Sequence, residues 1–146
     1  MRRGGEGTPR RGYLSALEAS DPLDCRRARL LAVDDHSAFL ALLRDVVRET
    51  GQLQLVGEAE SGEQAIELAR QLQPDMVLID VRMPGIGGIA AATRIKESRP
   101  STVVVLISTT HPDELLEADR CGADAVLWKN ELQPKVLDEI WLRARG

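Results

Sequence analysis

Two adjacent carboxylates, Asp34 and Asp35, follow directly on the apolar run LLAV, and a third, Asp80, closes the run MVLI. Ser108 and Thr109 end the run TVVVLI, and Lys129 follows AVLW. Each polar group therefore stands at the C-terminal end of a stretch apolar enough to be buried. Like charges held side by side there are costly unless a cation offsets them. Lys129 supplies one positive charge against three carboxylates, so a hard divalent ion is expected as the second cation. Mg2+ fits best: it takes oxygen ligands, binds through one or two carboxylates, and suits sites that also receive phosphate oxygens. Three acids, two hydroxyls and an ammonium would then gather around such an ion. Taken singly, each acid also suits a solvated loop or a helix N-cap. Their recurrence at successive strand ends is what points to a site.

The elements that must position these groups alternate in period. RLLAVD (29–34) reads as a buried strand. AFLALLRDVVRET (38–50) sets Phe39, Leu42, Leu43, Val46 and Val47 at helical spacing, and Gly51 ends it. LQLVGEAE (53–60) is strand-like, Ser61 is an N-cap for GEQAIELARQL, and Pro74 lies beyond that helix. DMVLID (75–80) is a strand, MPGIGG (83–88) is expected to be a loop, and IAAATRIKES is expected to be a helix. TVVVLIST (102–109) is a β-branched strand, PDELLEADRC a helix with Gly122 at its C′ position, and ADAVLW (123–128) a fifth strand. PKVLDEIWLRA (134–144) is a last helix with Pro134 in its first turn. Five βα units predict a parallel sheet with helices on both faces, and the nearly continuous apolar strands agree. In such sheets the ligand site lies beyond the carboxyl ends of the strands, where the acids, hydroxyls and Lys129 fall.

Composition limits the alternatives. The chain has 146 residues, the size of one domain, with 43% apolar and 29% charged residues. Its net charge of −4 and its 3% of aromatics argue against a nucleic-acid-binding or base-stacking surface. Two cysteines, Cys25 and Cys121, and two histidines, His36 and His111, show no metal-finger spacing, so reduced thiols of a cytoplasmic protein are expected rather than a zinc site. His36 is expected to line the start of the first helix and His111 to lie in a loop. Residues 1–28, with glycines, prolines and arginine pairs, read as a disordered basic extension. They lack the apolar stretch of a signal peptide, and no run is long enough to span a membrane.

The motifs VDDH (33–36), LIDVRMPGIGG (78–88), VLIST (105–109) and GADAVLWKN (122–130) together resemble the receiver domain of bacterial two-component response regulators. The resemblance covers residues 29–145. VDDH with KN is similar to receivers that usually precede a helix-turn-helix DNA-binding domain. It implies an α/β fold with a doubly wound five-stranded parallel sheet, (βα)5 and flavodoxin-like, with strand order 2-1-3-4-5, the receiver occupying residues 29–146. It implies that Asp80 is the phosphoacceptor, receiving its phosphoryl group from a sensor histidine kinase or a phosphotransfer protein. Asp35 would ligate Mg2+ directly, with Asp80 and the backbone carbonyl of Arg82, and Asp34 would act mainly through a water. Lys129 would pair with the phosphoryl oxygens, and Ser108, or alternatively Thr109, would be the switch hydroxyl. The chain would be no enzyme beyond its own phosphorylation and dephosphorylation. An unidentified downstream protein would read the switch, and homodimerisation is a family possibility.

The sequence departs from that pattern at several positions. Val126 stands where many members carry an aromatic residue three positions before the lysine, and Trp128, expected in the core, stands beside it. The gap between Ser108 and Lys129 is about one residue shorter than usual in the family, which places a deletion near TTHPD and favours Ser108 over Thr109. Gly87 replaces a common Asp or Asn and is expected to loosen its turn, Asn130 replaces a common proline, and Arg82 and Thr110 would flank the attacking water. The sequence ends at Gly146, directly after the last helix. The expectation is therefore a stand-alone receiver without an output domain, acting by protein contact rather than on DNA. Two other readings compete with it: a phosphorylation-independent interaction module with a vestigial acid pocket, and an Mg2+-dependent phosphohydrolase. The latter usually needs a second acid two residues after the nucleophile, where this chain has Arg82.

Overall fold

The computed structural model describes residues 27–109 and 121–145. Five strands, β1 (Ala28–Val33), β2 (Leu53–Ala59), β3 (Met76–Asp80), β4 (Val103–Ser108) and β5 (Ala125–Trp128), form one sheet in the order β2-β1-β3-β4-β5. All four pairings are parallel, so every strand delivers its C-terminal residue to the same edge. In register, Asp80 lies beside Ile107 and Ser108 beside Trp128.

Three helices, α1 (Ser37–Arg48), α2 (Gly62–Leu72) and α3 (Gly87–Ser98), and a C-terminal helix (Pro134–Arg145) cover the sheet. Alternate strand residues face opposite ways. Leu30, Leu78, Val105, Ile107 and Leu127 pack with Leu40, Leu43 and Val47 of α1 and Leu137 of the C-terminal helix. Leu31, Val33, Val77, Ile79, Val104 and Leu106 pack with Ala65 of α2 and Ala92 and Ile95 of α3. Sandwiched this way, β3 and β4 are buried at every residue. Each fully buried Leu, Ile or Val contributes about 1.5–3 kcal/mol, which fixes the strand ends that carry the acids. Ser61 caps α2 as expected, its hydroxyl accepting from the Gln64 N–H at 3.1 Å, while Gln64 Oε1 accepts from the Glu60 N–H at 2.8 Å.

Several expectations need correction. The glycines of MPGIGG do not keep the helix out: α3 begins at Gly87, two residues before Ile89. Gly87 takes the left-handed conformation at φ +82°, open to glycine without strain. Gly88 is needed for close approach. A Cβ there would lie 1.9 Å from the carbonyl oxygen of Asp80, and its N–H donates to the Val81 carbonyl at 3.2 Å. Leu42, expected on the inner stripe of α1, is 48% exposed; the stripe is Leu40, Leu43 and Val47. β5 starts at Ala125 rather than residue 123; just before it, the Asp124 N–H donates to the Val104 carbonyl (2.8 Å) and its carboxylate accepts from the Val104 N–H (2.8 Å) and Lys96 (2.7 Å). Ala28, expected in the extension, opens β1, its N–H donating to the Gln52 carbonyl at 2.7 Å. Trp128 is only half-buried and belongs to neither apolar cluster among the described residues, since β5 is an edge strand. Gly122 has φ +80°, as a C′ residue would, but the helix expected before it lies outside the described residues. So do Thr110, His111 and residues 1–26. No helix among the described residues is long and apolar enough to cross a membrane.

Candidate functional site

At the carboxyl end of β1 the chain leaves the sheet through Asp34, whose N–H donates to the Ala59 carbonyl at 3.0 Å. That pairing with β2 holds the Asp34 side chain in a fully buried position. Its Oδ1 accepts from the His36 N–H at 2.8 Å. Its Oδ2 makes no hydrogen bond and instead forms an ion pair with the Lys129 ammonium, 2.9 Å away. Asp35, the next residue, is partly open, with 27% of its side chain exposed.

Asp80 ends β3 and is 4% exposed. Its Oδ1 accepts from the Arg82 N–H at 3.3 Å, and its Oδ2 lies 3.6 Å from the Lys129 Nζ. Burial, and next the negative charge of Asp34, push the Asp80 carboxyl from an ordinary 3.8 up to about 6; Asp35 adds to the push. Lys129 and the Arg82 N–H pull the other way without prevailing. The Val81 N–H donates to the Ile107 carbonyl at 2.9 Å, tying the turn after Asp80 to β4.

Lys129 opens a 3-10 turn (Lys129–Glu131) at the end of β5, with 18% of its side chain exposed. Its ammonium also sits 4.4 Å from the centre of the Phe39 ring, a cation–π contact from the first turn of α1. Ser108 is buried at the end of β4 while Thr109 is exposed, so burial separates the two candidate hydroxyls. Arg82 follows Asp80 on an exposed turn.

Asp34, Asp35 and Asp80 converge with Lys129, and Ser108 ends the neighbouring strand. Two contributors were missed by sequence reasoning. Phe39 was assigned only to the apolar stripe of α1. His36 does start α1, as expected, but its ring turns back over the acids, with Nδ1 3.0 Å from Asp34 Oδ1 and 3.1 Å from Asp35 Oδ1. One donor atom from each of Asp34, Asp35, His36 and Asp80 falls within 4.8 Å of all the others. This group fits a hard divalent cation. It gathers three carboxylates against one ammonium, and burial with the Asp34 charge holds the Asp80 carboxyl above its ordinary range, a repulsion that added positive charge would relieve.

Comparison with known proteins agrees with this geometry. The family model of the response regulator receiver domain matches residues 30–140. The response regulator GacA of Pseudomonas viridiflava is 40% identical over 98 residues, which are 64% of this chain and 46% of that protein. The nitrate/nitrite response regulator NarL of Escherichia coli is 34% identical over 120 residues, 82% of this chain and 56% of that protein. The chain thus spans about half the length of these curated relatives. Among solved structures, the signal receiver domain of NarL from Mycobacterium tuberculosis is similar, with a TM-score of 0.71 and 32% identity, over 80% of this chain and 98% of that one. The response regulator domain of Thermotoga maritima CheB is also similar, with a TM-score of 0.73 and 28% identity, over 83% of this chain and 98% of that one.

Proposed function

Because this chain belongs to the response regulator receiver domain family, we propose that it accepts a phosphoryl group on Asp80 and signals through a surface that contacts another protein. One observation carries this reading: acids from the ends of β1 and β3 converge on the Lys129 ammonium, 2.9 Å from Asp34 and 3.6 Å from Asp80. The donor is a phosphohistidine on a sensor histidine kinase or a phosphotransfer protein. An Asp80 oxygen attacks phosphorus, the phosphorus–nitrogen bond breaks, and the imidazole leaves with the electron pair and takes up a proton. Asp35, Asp80 and the Arg82 carbonyl, with Asp34 behind them, would hold Mg2+, which when bound neutralises charge on the phosphoryl oxygens. Lys129 offers those oxygens a point charge. Once transfer has occurred, the Ser108 hydroxyl donates to the new phosphoryl group and Lys129 shares its charge with it. Thr109 is the alternative donor. Together these contacts bias a two-state loop equilibrium.

The output is protein contact, including the option of homodimerisation, in the cytoplasm. A net charge of −4 supports this over direct contact with DNA. Val126 is too small to fill the space behind Ser108 as an aromatic residue would, so the switch is read near the site more than across the face of β5 and the C-terminal helix. Water attack on the acyl phosphate resets the protein. Incubation with acetyl phosphate and Mg2+, read by intact mass, tests the proposal: wild type gains one phosphoryl group and Asp80→Asn gains none. Undiminished labelling of the variant overturns the acceptor assignment. No labelling of either protein, with no binding of beryllofluoride, replaces the proposal with a phosphorylation-independent interaction module.

A further inference from the structure

We propose that Phe39 is a positioning residue for phosphoryl transfer: its ring attracts the Lys129 ammonium and holds that charge between Asp34 and Asp80, where incoming phosphoryl oxygens would meet it. The inference rests on reading Asp80 as the phosphoacceptor. Phe39 lies in the first turn of α1, its N–H donating to the His36 carbonyl at 3.0 Å, and its side chain is partly buried against the core. The Lys129 Nζ lies over the ring, 4.4 Å from its centre. The negative face of an aromatic ring attracts a cation at this distance. The attraction grows where water is thinned out, as around a lysine side chain only 18% exposed.

The ring supplies what the carboxylates leave open. Asp34 Oδ2 stands 2.9 Å from Nζ yet makes no hydrogen bond, so that ion pair fixes a distance without a direction. Asp80 Oδ2, at 3.6 Å, is too far for a hydrogen bond and fixes no direction either. Lysine is a point charge on a long, flexible stem, so two undirected attractions leave the ammonium free to roll around Asp34. A third attraction, from a ring carried on a different element, fixes its position. α1 begins just after the acids of β1, and its first turn brings Phe39 to the end of β5. Charge set in place before the reaction lowers the reorganisation that the transition state demands. Any apolar side chain could fill the space, but only an aromatic face attracts the ammonium.

Phe39 is the only phenylalanine of the chain, so fluorinated phenylalanine incorporated during protein synthesis replaces this ring alone. Mono-, di- and trifluorinated rings keep the apolar shape and progressively weaken the negative face. The full chain carrying each ring, together with Phe39→Tyr and Phe39→Leu, is labelled with acetyl phosphate and Mg2+. Intact mass reads the rate and calorimetry reads Mg2+ affinity. The rate should fall stepwise with fluorination, to about three- to tenfold below wild type for the trifluorinated ring. Phe39→Leu should fall as far, while Phe39→Tyr, which keeps the ring, should stay within about twofold. Mg2+ affinity should stay within about threefold of wild type throughout, since the ring touches the ammonium and not the acids. Rates that ignore fluorination overturn the inference, even where Phe39→Leu is slow, because the ring is then only an apolar filler of α1. If wild type still labels on Asp80 in that case, only the role of Phe39 falls. If wild type does not label, the acceptor reading falls and the role of Phe39 with it.

Discussion

Without a cation, the ionised Asp80 side chain costs the fold stability, and Asp80→Asn removes that cost while keeping the side chain's shape. The carboxyl sits at about 6 where 3.8 is ordinary, chiefly through burial and the nearby charge of Asp34. At about 1.4 kcal/mol per pH unit, that difference corresponds to about 3 kcal/mol. The folded state binds this proton more tightly than the unfolded state. Between pH 3.8 and about 6 the folded state therefore holds more protons, and the group's contribution to stability falls as pH rises through that window. The cost is complete near neutral pH and vanishes in acid. With a chelator at pH 8, urea denaturation should find Asp80→Asn more stable than wild type by about 2–3 kcal/mol. In thermal unfolding the same gain is roughly 10 °C. At pH 4 the two proteins should converge. If Mg2+ binds the folded state through Asp80 as proposed, saturating Mg2+ at pH 8 should close the gap by stabilising wild type. A variant no more stable than wild type at pH 8, or equally favoured at pH 4 and pH 8, would mean that burial and Asp34 do not disfavour the charged form of Asp80.

Lys129→Met removes both ion pairs of the ammonium and its contact with Phe39. With a buried Asp34 left unpaired, the metal-free protein should lose about 3–5 kcal/mol in urea denaturation. Mg2+ affinity should survive, but the pattern of NMR shifts that phosphorylation produces in wild type should collapse; an unchanged pattern would count against the role given to Lys129. Gly88→Ala forces a methyl group toward the Asp80 carbonyl oxygen, so it should cost about 1–3 kcal/mol and slow labelling of Asp80. Wild-type stability and labelling in that variant would mean α3 can draw back freely. Asp124→Ala breaks the links to Lys96 and the Val104 N–H. It should cost about 1–3 kcal/mol with labelling intact, and a loss of labelling without a loss of stability would contradict its purely structural role.

The strand ends were legible because β1, β3 and β4 are continuous apolar runs whose closing residues carry charge or hydroxyl groups. Ser61 was legible as a cap because a serine stands directly before the helical run GEQAIELARQL. Other features depend on geometry that spacing does not encode. AFLALLRDVV offers two overlapping apolar stripes, and only packing on the sheet selects Leu40 and turns Leu42 to solvent. Gly87 and Gly88 read as helix breakers, whereas Gly87 supplies a left-handed entry and Gly88 a close approach to β3. His36 is adjacent to the acids in sequence, but its ring reaches them only because the N-cap position is extended rather than helical. Phe39 meets Lys129 through the order of the strands, with β1 and β5 delivering their ends to one edge.

If Asp80 carries the phosphoryl group, borohydride reduction of the phosphorylated protein will mark that residue. An acyl phosphate is reduced to an alcohol at the residue that bears it, and peptide mapping by mass spectrometry reads the position. Conversion is expected at residue 80 alone, dependent on Mg2+ and on prior phosphorylation. Conversion at Asp34 or Asp35, or labelled protein with no reduced aspartate at all, would contradict it.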